Sequence, residues 1–256
     1  MTVDEAPAAR SKNLIMFDLD GTLTKSKAPI EPPIADLIVR LLEHKKVAVI
    51  SGGGYPQFQI QFLANLPGTV DNFSNLYLMP TSGTRLYVWK GNWIEQYAES
   101  LLPKEKERIM TALDSALRAI HYEKPEKQYG PLIEDRGSQI TFSGLGQSAP
   151  AEEKYAWDPT RAKREEIAAF LKQKIPEFDV RIGGATSVDI TRRGINKAYG
   201  IRRLEKFLKI SPDDILFVGD ALFYGGNDYP ARATGVDCIQ VSGPEETRKV
   251  IEALLA

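Results

Sequence analysis

The sequence predicts an α/β fold, a doubly wound parallel sheet with an α+β unit inserted into it. Three observations carry that expectation. Short apolar runs alternate with helix-periodic stretches at both ends of the chain, the middle changes to hairpins and alternating strands, and polar, glycine-bearing stretches follow the apolar runs.

The elements follow in order. "NLIMF" (13–17) is a short apolar run of the kind expected in a strand buried on both faces. Residues 32–46 open with proline and set Ile34, Leu37, Ile38, Leu41 and Leu42 at helical spacing. "VAVIS" (47–51) is the next strand and runs into Gly52–Gly54; residues 57–66 form a helix and "LYLMP" (76–80) a third strand. Strands separated by helices imply parallel pairing through crossovers.

The middle changes character. Residues 84–97 read as a hairpin turning at Lys90–Gly91. Residues 104–120 form an amphipathic helix with Ile109, Leu113, Leu117 and Ile120 on one stripe. "SQITFSGLG" (138–146) alternates like a half-exposed strand, 161–175 is a helix, and 178–184 and 186–193 are further strands. The earlier pattern then returns as helix 196–210, strand 214–220, strand 236–241 and helix 244–256. The expected division is a core of residues 1–86 and 192–256, with the insertion over 87–191.

Composition bounds the function. Hydrophobic residues make up 43% of the 256 and charged residues 26%, which is ordinary globular usage. A net charge of -1 gives no electrostatic case for a nucleic-acid or membrane-surface partner. The one cysteine, Cys238, excludes an intramolecular disulfide and fits a reducing compartment; its place in an apolar run predicts a buried thiol. The opening residues are polar without the apolar segment of a signal peptide, and no apolar run is long enough for a membrane span. The expectation is a soluble, cytoplasmic protein.

Chemistry concentrates at predicted strand ends, where open α/β sheets bind ligands. Asp18–Thr22, Ser51–Gly54, the 191–197 turn and 219–228 all fall there. Asp18, Asp20 and Asp220 brought into one crevice repel one another, so a pKa rises or a cation sits among them. Oxygen donors without a His or Cys cluster favour Mg²⁺. His44 and His121, on or beside helices, read as structural. Backbone N–H groups of Ser51–Gly54 make a phosphate cradle, and Lys197 adds a fixed positive charge. This equipment suits phosphoryl transfer through an aspartyl-phosphate. Each piece alone has a plainer reading: Asp18 and Asp20 as turn residues, Ser51–Gly54 as turn chemistry, Lys197 as a solvated helix residue. Their convergence favours the active site. A dinucleotide-binding domain is excluded by the lack of a G-x-G-x-x-G after the first strand.

"FDLDGTLT", the Ser51 strand end, Lys197 and "GDALFYGGNDYP" together resemble the four motifs of the haloacid dehalogenase superfamily, in order. The insertion resembles the type IIB cap, and "IEDRGSQITFSGLGQ", "GGATSVDI" and "GGNDYP" are most similar to eukaryotic-type phosphomannomutases. The resemblance implies Asp18 as nucleophile and Mg²⁺ ligand, and Asp20 as acid/base with its carbonyl on the metal. It implies Asp220 as a third metal ligand, with Asn227 and Asp228 around the metal or its waters. Ser51, Gly52 and Lys197 would hold the transferring phosphoryl group. In the cap, Arg136, Gln147, Gly184, Ser187 and Asp189 fall where the mutases hold a distal phosphate and sugar hydroxyls. A phosphosugar substrate and a cap-mediated homodimer are further implications.

The chain also departs from that pattern. Gln147, Tyr129 and Lys27 stand where the animal mutases carry arginine, and a bidentate guanidinium is not replaced like for like. Arg85, Lys127, Arg181, Arg192 and Arg193 are the cations that could compensate. Water as acceptor makes the protein a phosphatase; a sugar hydroxyl makes it a mutase. The missing arginines place a Mg²⁺-dependent phosphatase of a hexose phosphate first and a phosphomannomutase second. A non-catalytic phosphosugar-binding protein is the remaining competitor, disfavoured because nucleophile, acid/base and lysine are all filled. Arg136 and Asp189 are balanced between binding and structural pairing, and Trp89, Trp93 and Trp157 are expected to pack the cap.

Overall fold

The computed structural model describes residues 2–25, 27–67 and 70–256. These divide into two compact units, residues 1–98 with 196–256, and residues 99–195.

The first unit is built on a seven-stranded sheet of order β11-β10-β1-β2-β3-β4-β5. Its members are β1 (Leu14–Asp18), β2 (Lys46–Ile50), β3 (Leu76–Met79), β4 (Arg85–Trp89), β5 (Trp93–Ala98), β10 (Ile215–Gly219) and β11 (Asp237–Gln240). The five strands from β11 to β3 are parallel, and β3-β4-β5 are antiparallel. β1 sits where the chain switches sides, first toward β2 and β3 and later toward β10 and β11, so its carboxyl end opens onto a topological switch point.

Alternation along the strands fills two cores. Ile15, Phe17, Val47, Val49, Leu216 and Val218 pack with α1 (Pro32–Leu42), while Leu14, Met16, Ala48, Ile50, Ile215 and Phe217 pack with Ile201 and Leu204 of the later helix 197–208. Both faces of the parallel strands are therefore buried, and the strands read as unbroken apolar runs. Cys238 lies in the second core, where burial pushes its thiol up to about 11. α2 (Tyr55–Gln61) starts directly after the Ser51–Gly54 loop and is shorter than the expected 57–66 helix; residues 63–65 form a separate 3₁₀ turn.

The hairpin β4–β5 extends this first sheet, whereas the expected boundary at 86–87 assigned most of it to the insertion. Trp89 and Trp93 accordingly pack edge-on to each other at 5.4 Å in the first unit, beside Phe73, not in the cap. A 3₁₀ segment over Val3–Ser11 was not anticipated; Ala6 and Ala9 bury against the first core, and Arg10 Nε donates to Ala253 O at 2.8 Å.

The second unit is a four-stranded antiparallel sheet of order β6-β7-β9-β8, comprising β6 (Ile133–Asp135), β7 (Gln139–Ser143), β8 (Phe178–Gly183) and β9 (Ser187–Arg192). Helices α3 (Pro103–Ala119) and α5 (Ala162–Lys174) supply Ile109, Leu113, Ile167 and Leu171 to a core with Ile140, Phe142, Val188 and Ile190. In the chain α4 (Ala151–Trp157) lies between β7 and α5, and its Trp157 packs on Tyr122. β7, expected to be half-exposed, is buried along its whole length. Its polar residues are satisfied within the unit: Gln139 Nε2 donates to Thr141 Oγ1 at 2.8 Å, Thr141 to Asp189, and the Ser143 and Thr186 hydroxyls share a hydrogen bond. Helix α6 (Lys197–Leu208) returns the chain to the first unit, and α7 (Pro244–Leu255) closes it. Among the described residues, no helix is long and apolar enough to cross a membrane.

Candidate active site

β1 ends on Asp18, which is 2% exposed. α6 begins on Lys197, because Asn196 caps it by accepting the Tyr199 N–H at 3.0 Å. That start aims the lysine inward. Lys197 Nζ reaches Asp18 Oδ1 at 2.5 Å and also bonds Asp228 Oδ1, with all three groups buried. Asp228 is held from its other side as well, Oδ2 accepting the Ala221 N–H at 3.0 Å. Asp18 Oδ2 is buried without any hydrogen-bond partner. A buried carboxylate oxygen left unpaired is costly unless something else engages it.

Asp220 follows β10 directly. Its N–H donates to Thr22 Oγ1 at 3.0 Å, and its Oδ1 accepts the same hydroxyl at 3.3 Å. Gly21, at φ +87°, lets the loop pass: a Cβ there would lie 2.6 Å from Asp220 Oδ2. Asp18, Asp220 and Asp228 bring ligand oxygens within 4.8 Å of one another. Burial, with Asp228 and Asp220 nearby, pushes Asp18 well up against the pull of Lys197. Burial and Asp228 push Asp220 up too. Burial alone would lower Lys197, but Asp18 and Asp228 more than offset it and push the ammonium up. Three carboxylates and one lysine leave uncompensated negative charge. Three carboxylates gathered this closely, an all-oxygen donor set with no sulfur or imidazole, fit a Mg²⁺ ion. Asn227, which precedes Asp228 in the chain, is exposed.

The cradle residues close the same strand ends. Ser51 Oγ accepts the Gly53 N–H at 3.0 Å, and nothing lies within 4 Å of where a Gly52 Cβ would be. The loop is braced by residues 80–83, in which Thr81 (φ 50°) and Ser82 (φ 57°) are left-handed. Thr81 N–H donates to Gly53 O at 2.9 Å and Ser82 N–H to Ser51 O at 2.8 Å. A left-handed β-branched residue is strained, and here it buys a fixed loop. Asp20, half-buried, accepts from the Lys27 N–H at 2.7 Å and from Gln57 and Gln61 of α2. The first unit thus gathers Asp18, Asp20, Ser51, Gly52, Lys197, Asp220 and Asp228 at the carboxyl ends of its strands.

The second unit carries the other predicted residues on and beside its sheet. Arg136 grips Glu134 Oε2 with Nε at 3.0 Å and Nη2 at 2.7 Å. Asp189 Oδ1 accepts the Thr141 hydroxyl at 2.7 Å, and Ser187 stands opposite Ser143 on the adjoining strand. Gly184 (φ +34°) sits in the β8–β9 turn, its carbonyl held by Arg164 Nη1. Arg164 is itself buried in a 2.7 Å pair with Asp158. Gln147 presents its carbonyl to Lys154 Nζ at 2.8 Å. The compensating cations are engaged elsewhere: Arg85 with Glu95, Arg181 with Asp179, Arg192 with Glu105, Arg193 with Pro176 O, and Lys127 over the Tyr129 ring. Sequence reasoning missed Gln57, Gln61, Lys154 and Arg164. Only Gln57 and Gln61 left a signal, an i, i+4 amide pair directly after the glycine run.

Residues 34–256 match the family profile described as eukaryotic phosphomannomutase. The chain is 29% identical to the phosphomannomutase of Spinacia oleracea over 94% of this chain and 95% of that one. It is 28% identical to the phosphomannomutase of Schizosaccharomyces pombe over 85% and 84%. A haloacid dehalogenase-like hydrolase from Bacteroides thetaiotaomicron shares its fold at a TM-score of 0.60 and 15% identity, over 94% of this chain and 98% of that one.

Proposed function

The chain belongs to the eukaryotic phosphomannomutase family, and from that premise we propose that it transfers a phosphoryl group between positions of a hexose phosphate through Asp18. The observation that carries the reading is the unpartnered Asp18 Oδ2 beside a buried lysine and two further carboxylates. Lys197 fixes Oδ1, so Oδ2 is the oxygen left to attack phosphorus. As the Asp18 Oδ2–P bond forms, the bond from phosphorus to the sugar oxygen breaks, and Asp20 gives that oxygen a proton. In the return step Asp20 takes the proton of the accepting hydroxyl as its oxygen attacks the phospho-aspartate.

The Ser51 hydroxyl, the Gly52 N–H and the Lys197 ammonium hold the equatorial oxygens. Asp18 and Asp220, with the Asp20 carbonyl and Asp228 nearby, are the residues that would hold Mg²⁺. When bound, the ion offsets the charge of carboxylates and phosphate alike. Arg136, Ser187, Asp189 and Gly184 are assigned to the distal phosphate and sugar hydroxyls. Cytoplasmic action and a homodimer formed through the second unit belong to the same reading.

Family membership favours the mutase over the phosphatase that sequence reasoning placed first. The hydrolytic reading keeps one observation in its favour, Gln147 in place of a phosphate-gripping arginine. Phosphorus NMR of the protein with Mg²⁺, mannose 1-phosphate and a catalytic amount of hexose 1,6-bisphosphate separates them. Growth of a 6-phosphate signal is the expected result; inorganic phosphate alone would replace the mutase with a phosphatase.

A further inference from the structure

We infer that Gln57 is a positioning residue that sets the direction in which Asp20 presents its proton-carrying oxygen. The inference rests on the acid/base reading of Asp20 and extends it to a residue of α2. The geometry divides the two oxygens of Asp20. Oδ1 is tied twice, to the Lys27 N–H at 2.7 Å and to Gln61 Nε2 at 3.3 Å. Oδ2 receives Gln57 Nε2 at 2.8 Å. Tethering Oδ1 to the loop after the first strand leaves Oδ2 as the oxygen turned to reacting atoms. A hydrogen bond from Gln57 then occupies one lone-pair direction and fixes the other.

Four features show that the chain is arranged around this contact. Gln57 and Gln61 are four residues apart, so both amides leave the same face of α2. Gly53 makes room for the first of them, because a Cβ at that position would collide with Gln57 Oε1. Gln61, 3% exposed, turns its Nε2 to Asp20 and to Ala28 O while its Oε1 stays buried without a partner. An amide accepts that cost where its N–H groups have carboxylate and carbonyl acceptors to serve; the reverse orientation would set oxygen against oxygen. Lys27 adopts φ 56°, a left-handed conformation, with its N–H on Oδ1. The clamp therefore draws on strain from one side and an orphaned acceptor from the other.

Proton donation matters in proportion to how poor the leaving group is. A sugar hydroxyl leaves badly without a proton, whereas p-nitrophenolate leaves readily without one. Misdirecting Asp20 should slow the first and nearly spare the second, and a merely structural defect would slow both alike. The quantity to compare is kcat/KM. For p-nitrophenyl phosphate it reports the steps up to release of p-nitrophenolate and is blind to dephosphorylation. For mannose 1-phosphate, with hexose 1,6-bisphosphate present, it reports transfers in which Asp20 must move the proton of a sugar hydroxyl. Measured on the intact protein with Mg²⁺, Gln57→Ala should lower it about 10- to 100-fold for mannose 1-phosphate but only about threefold for p-nitrophenyl phosphate. Gln57→Met, which keeps the side-chain length without an N–H, should behave likewise, and serves in place of the alanine variant should that one not fold. Asp20→Asn is the control and should show the same selectivity with a larger loss. Selectivity in Asp20→Asn with equal losses in the Gln57 variants would overturn the positioning role and leave Asp20 as acid/base. Equal losses on both esters in Asp20→Asn would overturn the acid/base reading and the inference with it.

Discussion

The two units treat polar residues in opposite ways. At the strand ends of the first, like charges are crowded together: Asp18 and Asp228 share one lysine, Asp220 stands beside them, and one carboxylate oxygen is left unpaired. In the second, polar groups are paired off among themselves, Arg136 with Glu134, Asp189 with Thr141, Arg164 with Asp158. Unpaired buried charge costs folding energy and suits a group that must react. Mutually paired charge costs little and suits a surface that recognises a ligand by exchanging one partner for another. The first unit is poised and the second is at rest.

The largest expected effect breaks the first half of that comparison. Asp18→Asn removes the attacking oxygen and should lower turnover at least about a thousandfold. It also removes one of the crowded negative charges, so the melting temperature should hold or rise. Substantial residual turnover with unchanged Mg²⁺ dependence would remove Asp18 from the nucleophile's place.

Lys197→Met comes next. It leaves Asp18 and Asp228 buried without their shared cation, and breaking such a pair costs about 3–5 kcal/mol. Chemical denaturation should read that loss directly. Added Mg²⁺ should recover part of it, since a bound cation stabilises the folded form by mass action. A variant as stable as the parent would mean that the lysine is not what makes the carboxylates tolerable.

The second half is sharpened by Gln147→Arg. Restoring a guanidinium beside Lys154 should tighten binding of a hexose 1,6-bisphosphate about tenfold, or 1.4 kcal/mol, by calorimetry. No change would place the distal phosphate away from this turn.

How far the sequence could be read depended on whether a residue announced its own chemistry. Asp18, Lys197 and Asp220 are charged residues in patterned places, and the parallel strands beneath them are continuous apolar runs; both could be read directly. The β4–β5 hairpin was seen as a hairpin but given to the wrong unit, because local alternation says nothing about which sheet a hairpin joins. β7 looked half-exposed because its polar residues alternate, and only tertiary contacts reveal that Gln139, Thr141 and Ser143 are satisfied by neighbours while buried. The left-handed turn at Thr81–Ser82 had no signal, since a β-branched residue argues against that conformation. Arg164 was missed for a related reason: it is spent on a second residue, Asp158, and no residue type advertises that, while Gln57 left only the faint signal of its spacing from Gln61.

The smallest effect tests whether the second unit's pairing is what keeps the β8–β9 turn, proposed to meet the substrate, in place. Burial would raise Asp158, but the Arg164 side chain, the Arg164 N–H and the Lys163 N–H outweigh it and hold the carboxyl below its ordinary range. A carboxyl depressed by folding contributes stability above its unfolded value of about 3.9, and that contribution is lost as pH falls through the lower folded value. At neutral pH, Asp158→Asn should therefore melt a few degrees, about 2–4 °C per kcal/mol lost, below the parent. The gap should narrow as the pH falls below the unfolded value of about 3.9 and close as it passes through the lower folded value, where the folded parent's own carboxyl takes up a proton. Arg164 also holds the Gly184 carbonyl, so the same variant should weaken hexose phosphate binding while p-nitrophenyl phosphate, which has no distal group for that turn to meet, is turned over as before. A gap that persists unchanged to pH 3 would mean that packing, not the charge of Asp158, holds the turn.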